Sequence, residues 1–387
     1  MSSGSNQAPA SLSPLAEAYR GKRVWVTGHT GFKGAWLCEW LLALGADVTG
    51  YSLPAPTQPA LSDQLDLRRR LRHVEADIRD LSTLTRALTE TEPDFVFHLA
   101  AQPLVRESYA DPLGTFSTNI LGTANVLQAL RSLRKPCAAV IVTSDKCYEN
   151  RDWVFGYREE DALGGHDPYS ASKGAAEIVI ASMRRSFFCD HPVRVASARA
   201  GNVIGGGDWA KDRIVPDCVR ALQAGQAIPV RNRFATRPWQ HVLEPLSGYL
   251  WLAAQLPQPA TLRQPSTINS QLSGAFNFGP HHDANRTVAE LVTELLKHWP
   301  GRWEDRTDPQ APHEAKLLQL ATDKAHAVLG WSPVWSFADA VEHTVKWYRA
   351  SRQPADAPAI QALTAAQIAG YTRRARERKL PWAVAEL

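Results

Sequence analysis

The stretch Arg23-Val24-Trp25-Val26-Thr27-Gly28-His29-Thr30-Gly31-Phe32-Lys33-Gly34, continued by Ala35-Trp36-Leu37-Cys38-Glu39-Trp40-Leu41-Leu42, decides the fold. A short apolar run enters a glycine turn, and the turn opens an apolar segment of helical character. Glycines at 28, 31 and 34 permit a tight turn, close approach of backbone to a pyrophosphate, and close packing of helix on strand. The freed amides at the helix N-terminus then face phosphate groups, helped by the helix dipole. A glycine triplet alone also occurs in structural turns without a ligand. The strand before it and the helix after it favour dinucleotide binding.

Working outward, Asp47-Val48-Thr49-Gly50-Tyr51 reads as a second strand, ending without the acidic residue often used to hold an adenosine ribose. A Pro- and Ser-rich loop over 53–62 precedes Arg68-Arg69-Arg70. These arginines read as a solvated helix face rather than a 2′-phosphate site, because they lie well past the strand end. A third strand is expected to run into Glu75-Ala76-Asp77-Ile78-Arg79-Asp80. A fourth, Phe95-Val96-Phe97-His98-Leu99-Ala100-Ala101-Gln102, enters a loop, with His98 a hydrogen-bonded structural histidine. Such near-continuous apolar runs mark buried parallel strands. Helical periodicity over 114–133 includes Asn119. Further strands are expected at 138–143 and 193–199, with a helix from Tyr169 to about residue 188 between them. This alternation indicates an α/β fold, a Rossmann-like doubly wound parallel sheet.

Chemistry enters at two motifs. Thr143-Ser144-Asp145-Lys146-Cys147-Tyr148 ends the fifth strand, and Tyr169-Ser170-Ala171-Ser172-Lys173 opens the following helix. A Tyr and a Lys four apart share one helix face. There an ammonium favours the phenolate and makes tyrosine a usable base. A lone pair of this spacing is also common as solvated helix surface. Together with the glycine turn it reads as an alcohol-oxidising site on a nicotinamide cofactor. Ligands of open α/β sheets sit beyond the carboxyl ends of the strands, so the glycine turn and the polar triplet belong to one sheet edge. An ion pair that merely ends the strand is the competing reading of Asp145-Lys146.

Beyond residue 200 the chain becomes mixed. The run Gly201-Asn202-Val203-Ile204-Gly205-Gly206-Gly207-Asp208-Trp209 is a glycine-rich loop. A helix near 214–224, a short strand near 228–231, Arg237-Pro238-Trp239-Gln240-His241-Val242 and an apolar helix to about 256 follow. The expected organisation is a disordered leader at 1–20 and a nucleotide-binding domain at 21–200. A mainly substrate-binding region follows at 201–350, with some segments returning to the sheet, and then a peripheral tail at 351–387. Residues 257–273 read as a surface loop, and His281-His282-Asp283 as a polar turn, not a metal site.

Hydrophobic residues at 44% and charged ones at 21% suit a soluble globular chain, and 387 residues allow roughly two domains. A net charge of +4 gives no case for nucleic acid. The five cysteines, an odd number without a CxxC pair, argue for reduced thiols in a cytoplasm rather than disulfides or zinc. No stretch reaches membrane-spanning length, and the N-terminus lacks the basic and apolar regions of a secretory signal.

Over residues 21–350 the chain resembles the extended short-chain dehydrogenase/reductases, specifically the nucleotide-sugar 4,6-dehydratases. The matching motifs are TGHTGFKG, Asp77-Ile78, Ala100-Ala101-Gln102, TSDKCY and YSASK. The lysine of Ser144-Asp145-Lys146, where other branches carry glutamate, points to the branch acting on CDP-glucose. The runs 199–213 and 237–249 agree with that branch. The resemblance implies NAD as cofactor, bound by Gly28, Thr30, Gly31, Phe32, Lys33, Gly34, Asp77, Ile78, Ala100, Ala101, Gln102, Asn119, Thr143, Tyr169 and Lys173. It implies Tyr169, Lys173, Ser144, Asp145 and Lys146 as catalytic residues, with Lys146 as the elimination base and Asp145 as the acid in one assignment and the reverse in the other. Gln102, Ser144, Asn202, Arg231 and Arg237 would hold the substrate. It further implies a homo-oligomer, dimer or tetramer, packed through helices near 114–133 and 169–188, the first contributing Ile120, Val126, Leu127 and Leu130. A 4-epimerase would not need the pair at 145 and 146. A non-catalytic NAD(P)-sensing regulator would have no use for the retained Tyr169 and Lys173.

Overall fold

The structure, a computed structural model, describes residues 12–256, 272–307, 317–351 and 356–384. Its centre is a seven-stranded parallel sheet. The strands are β1 (Arg23–Thr27), β2 (Asp47–Ser52), β3 (Arg72–Glu75), β4 (Phe95–His98), β5 (Cys137–Val142), β6 (Val193–Ala200) and β7 (Ala275–Phe278). They lie in the order β7-β6-β5-β4-β1-β2-β3. The direction of winding reverses between β1 and β4, where Thr27 pairs with His98. That reversal opens the crevice in which such sheets bind ligands. The third strand is shorter than expected. It ends at Glu75 because Asp77 turns back to accept from the Arg79 amide at 2.8 Å and from the Arg79 guanidinium at 2.6 Å.

Among the helices that cover or flank the sheet are α1 (Pro14–Tyr19), α2 (Phe32–Ala43), α3 (Leu81–Thr91), α4 (Gly122–Leu130), α5 (Pro168–Phe187), α6 (Leu243–Gln255), α7 (Phe337–Ala350) and α8 (Ala357–Glu377). Leu84, Leu88, Val126, Leu127, Leu130 and Ile180 pack on one face of the sheet. On the other face lies a larger core, including Trp36, Leu37, Leu250, Trp347 and Tyr371. No helix among the described residues is long and apolar enough to cross a membrane.

Near both ends the described residues depart from expectation, while residues 1–11 of the expected leader lie outside the described residues. Residues 14–19 are helical, not an unstructured leader. Ser13 caps the helix, Leu15 and Tyr19 are buried, and the Tyr19 hydroxyl donates to the Leu250 carbonyl at 2.7 Å. The C-terminal helix α8 is no peripheral element: Ile360, Thr364, Ile368, Tyr371 and Ala375 form a buried stripe. It packs on α2, and Trp382 beyond it stacks on Tyr371. Arg70 is likewise no solvated arginine, since its guanidinium grips the buried Glu39 carboxylate at 2.5 and 3.0 Å. Residues 257–271 of the expected surface loop lie outside the described residues.

Glu244 ties these outer helices together. It is fully buried and accepts from the amides of Val334 and Trp335 (2.8 and 2.7 Å) and from the Tyr371 hydroxyl (2.7 Å). Burial nevertheless pushes its carboxyl up to about 7, against the pull of these donors. A folded-state value above the unfolded one of 4.5 means that this group's contribution is fully present below about 4.5 and is lost as pH rises toward 7. The stability advantage of the wild type over Glu244→Gln is therefore expected to shrink over that window, by roughly 1.4 kcal/mol per pH unit. Urea titrations of both proteins at pH 5 and pH 7 check the sign.

Candidate active site

Thr27, the last residue of β1, ties the crevice together. Its hydroxyl contacts His98 Nδ1 at 2.7 Å and accepts from the amides of Leu99 and Ala100 at 3.1 and 3.2 Å. His98 also meets the Thr123 hydroxyl and is buried, so it serves as a satisfied structural histidine. In the turn that follows, Gly28 has φ +75°, and a Cβ there would come within 2.7 Å of the Ala100 nitrogen. A Cβ on Gly34 would lie 2.2 Å from the Gly28 carbonyl oxygen. Gly31 differs, because a Cβ there would meet only that same oxygen, at 3.4 Å. No side chain caps α2, which leaves its first amides to an outside anion. A turn tight on its inner side, open at Gly31 and lined by free amides fits a dinucleotide pyrophosphate. Thr30 closes the rim by bonding Ser52 at 2.7 Å and the Leu53 carbonyl at 3.0 Å.

The loop after β4 is held by Asn119. Its carboxamide accepts from the Gln102 amide at 2.8 Å and donates to the Gln102 carbonyl and to the Ser172 hydroxyl. Asn119 sits in a π-helical turn, Ser117–Leu121, inserted between two α-helical segments. Such insertions recur at functional sites because they redirect one side chain. The Gln102 side chain is engaged locally, by Thr115 and the Leu104 amide. Ile78 is buried against Gly122, and the Asp77 carbonyl accepts from Tyr51.

Helix α5 begins with Asp167 capping the Ser170 amide and Pro168 in its first turn. Tyr169, Ser172, Lys173, Ala176, Glu177 and Ile180 form its buried face, the 3–4 spacing of an inward stripe. The strand end opposite delivers Ser144, whose hydroxyl donates to Asp145 Oδ1 at 3.0 Å and accepts from the Lys146 amide at 3.2 Å. Asp145 Oδ2 is buried with no hydrogen-bond partner. Burial raises the Asp145 carboxyl, opposed by the charges of Lys146 and Arg237. The carboxyl is therefore tuned toward its protonated form, and the strand-ending ion pair with Lys146 is not made.

Burial pushes the Tyr169 phenol up to about 12, and its hydrogen bond with Ser144 works against that rise. The stronger cationic pull on the phenol comes from Arg213 rather than Lys173. Lys173 lies toward Glu177 and Cys147, and burial brings its ammonium down to about 8. Arg213 is held by Asp208 at 3.1 Å. Lys33 also turns away from a purely backbone role. Its ammonium comes within 3.5 Å of the Tyr249 hydroxyl, and burial lowers it to about 8, with Asp145 pulling it back up.

The expected substrate residues separate. Arg237 is buried, bonds the Thr236 carbonyl and bears on Asp145. Asn202 directly follows Gly201, whose Cβ position is 2.9 Å from Asp145 Oδ2. Arg231 instead is paired at the surface with Asp212 and Asp217, each at 2.6 Å, because those carboxylates lie beside it. Arg213, Tyr249 and Glu177 are absent from the sequence expectation. Glu177 carried a signal in its place four residues after Lys173, and Arg213 and Tyr249 close the runs 199–213 and 237–249 without having been assigned a role.

A family model described as GDP-mannose 4,6 dehydratase matches residues 25–344. The CDP-glucose 4,6-dehydratase of Salmonella typhimurium is 46% identical over 338 residues, covering 86% of this chain and 92% of its own. The CDP-paratose 2-epimerase of Salmonella typhi is 31% identical, over 84% of this chain and 98% of its own. Among solved structures, a Streptomyces venezuelae dTDP-glucose 4,6-dehydratase with NAD and TYD bound superposes with a TM-score of 0.71. It is 25% identical and covers 87% of this chain and 99% of that one.

Proposed function

The chain belongs to the GDP-mannose 4,6 dehydratase family, and from that premise we propose that it dehydrates CDP-D-glucose to CDP-4-dehydro-6-deoxy-D-glucose with NAD as cofactor. The observation that carries this reading is the buried, partner-poor Asp145 carboxyl. It stands beside Ser144 and Tyr169, where an elimination needs an acid next to an oxidising site. The 46% identity to a CDP-glucose enzyme supports the choice of substrate.

The amides opening α2 would hold the pyrophosphate, with the Asp77-Ile78 and Ala100–Gln102 segments, Asn119 and Thr143 lining the remainder of the cofactor site. Bound there, NAD would supply reversible hydride chemistry, restored within each turnover so that none would be consumed. Tyr169 takes the proton of the 4-hydroxyl, its phenolate favoured by Arg213, Ser144 and Lys173. Lys173 would also hold the cofactor ribose. The 4-ketone acidifies the C5 hydrogen, Lys146 removes it as Asp145 protonates the departing 6-hydroxyl, and Lys146 gives the proton back to C5 when the hydride is delivered to C6. Arg237 and Asn202 hold the substrate diphosphate, for which a planar guanidinium is well suited. The region 201–350 is read as the mainly substrate-binding part, and the free cysteines, buried except for Cys189, agree with a cytoplasmic setting.

Purified protein offered CDP-, UDP- and dTDP-glucose and GDP-mannose tests the assignment through the base-labile absorbance of the 4-keto product. Product from CDP-glucose without net loss of NAD is expected. Preference for another nucleotide, or stoichiometric use of cofactor, would overturn it.

A homo-oligomer is part of the same reading, with a corrected contact face. Val126, Leu127 and Leu130 are spent on the chain's own core. The exposed apolar side chains of the two helical segments are Leu113, Leu121, Ile178 and Phe187. Ile178→Lys is expected to convert an oligomer into monomer at micromolar concentration, as read by light scattering. A wild-type monomer would refute the assembly.

A further inference from the structure

We propose that Glu177 is the positioning residue of the acid–base centre, fixing the end of β5 through Thr143 and acting as the counter-charge that keeps Lys173 cationic. This rests on the dehydratase reading above. Glu177 lies one turn beyond Lys173 on the buried face of α5, with 3% exposure. Its Oε1 accepts from the Thr143 hydroxyl at 2.5 Å, and Thr143 directly precedes Ser144. Its Oε2 accepts from Ser197 at 2.9 Å and from the Arg199 guanidinium at 2.8 Å. One carboxylate therefore joins the strand carrying Ser144, Asp145 and Lys146 to the helix carrying Tyr169 and Lys173. Arg199 extends the tie to the Tyr148 hydroxyl at 2.7 Å and the Glu159 carbonyl at 3.0 Å, and Tyr148 donates to Asn277 on β7.

A buried carboxylate persists only when paired and hydrogen-bonded. Burial works to raise Glu177, but the Arg199 charge and the three donors outweigh it and hold the carboxyl below its usual value. The groups facing Lys173 come from several elements. Burial raises the Cys147 thiol, so it is neutral, and burial lowers His98 to about 3, so it is neutral too. Lys33, from α2, is another cation. Among these groups Glu177 supplies the negative charge that counters the desolvation of Lys173.

The sign follows. Without the carboxylate, Lys173 loses its proton at lower pH, so the basic limb of C4 oxidation moves to lower pH. Glu177→Gln is expected to shift that limb down by about one pH unit or more, and to lower the rate at pH 8 about fivefold or more. Thr143→Val keeps the charge and cuts the tether, so it should lower the rate without moving the limb, and NAD affinity measured beside it separates this from the place of Thr143 in the cofactor site. Because Glu177→Gln strands the Arg199 charge and risks unfolding, the double variant Glu177→Gln/Arg199→Met is made beside it. Replacing a buried pair together is commonly tolerated, and this variant still lacks the anion. In ligand-free protein, the pH at which Lys173 becomes reactive to an amine-acylating reagent, located by peptide mass spectrometry, should fall in parallel. A wild-type limb and wild-type labelling pH in the double variant would overturn the proposal and leave a purely structural ion pair. Failure of the wild type itself to oxidise CDP-glucose would instead strike the dehydratase reading.

Discussion

Tyr169→Phe is expected to slow C4 oxidation of CDP-glucose by about two to four orders of magnitude, the scale of a lost general base. The phenol is on the inner face of α5, where burial raises it to about 12 against the pull of Ser144 and Arg213. Phenylalanine keeps the ring and its packing but removes the one oxygen able to take the 4-hydroxyl proton. The protein should stay folded and keep binding NAD, because the α2 amides and the glycine turn are untouched. Single-turnover absorbance of the reduced nicotinamide reads the step directly. A loss smaller than tenfold would move the base role to another group.

The second large effect separates the two halves of the reaction. Lys146→Ala leaves Tyr169, Ser144 and Arg213 in place, so oxidation at C4 should proceed. Removal of the C5 proton should then fall by about 10² to 10⁴, again the scale of general base catalysis. Reduced cofactor and a sugar with an intact 6-hydroxyl are expected to accumulate on the enzyme, seen by nicotinamide absorbance and by mass spectrometry of the quenched sugar. The Asp145 carboxyl, raised by burial, would still be ready to protonate a leaving group that never departs. Normal turnover in Lys146→Ala would remove Lys146 from the elimination step. Loss of oxidation as complete as in Tyr169→Phe would do the same, by showing that Lys146 holds the site together.

By itself the sequence determined the parallel sheet, the glycine turn and the meeting of the strand-end triplet with the tyrosine–lysine helix. Those features are local. Buried parallel strands must read as apolar runs, a phosphate turn needs glycines at positions such as 28 and 34 where no Cβ fits, and a 3–4 spacing places Tyr169 and Lys173 on one face. Tertiary structure decided what depends on partners distant in the chain. Residues 14–19 and 357–377 show weak patterning, and they become ordered helices because Tyr19 reaches Leu250 and Tyr371 reaches Glu244. The third strand stops at Glu75 because of an Asp77–Arg79 turn, and Arg231 leaves the expected substrate set because Asp212 and Asp217 claim it. The protonation of the site belongs to this second kind as well. Burial lifts Tyr169 and Asp145 and lowers Lys173, while Arg213 and Glu177 supply the opposing charges. Desolvation depends on everything packed around a group, and no spacing of residues along a chain encodes it.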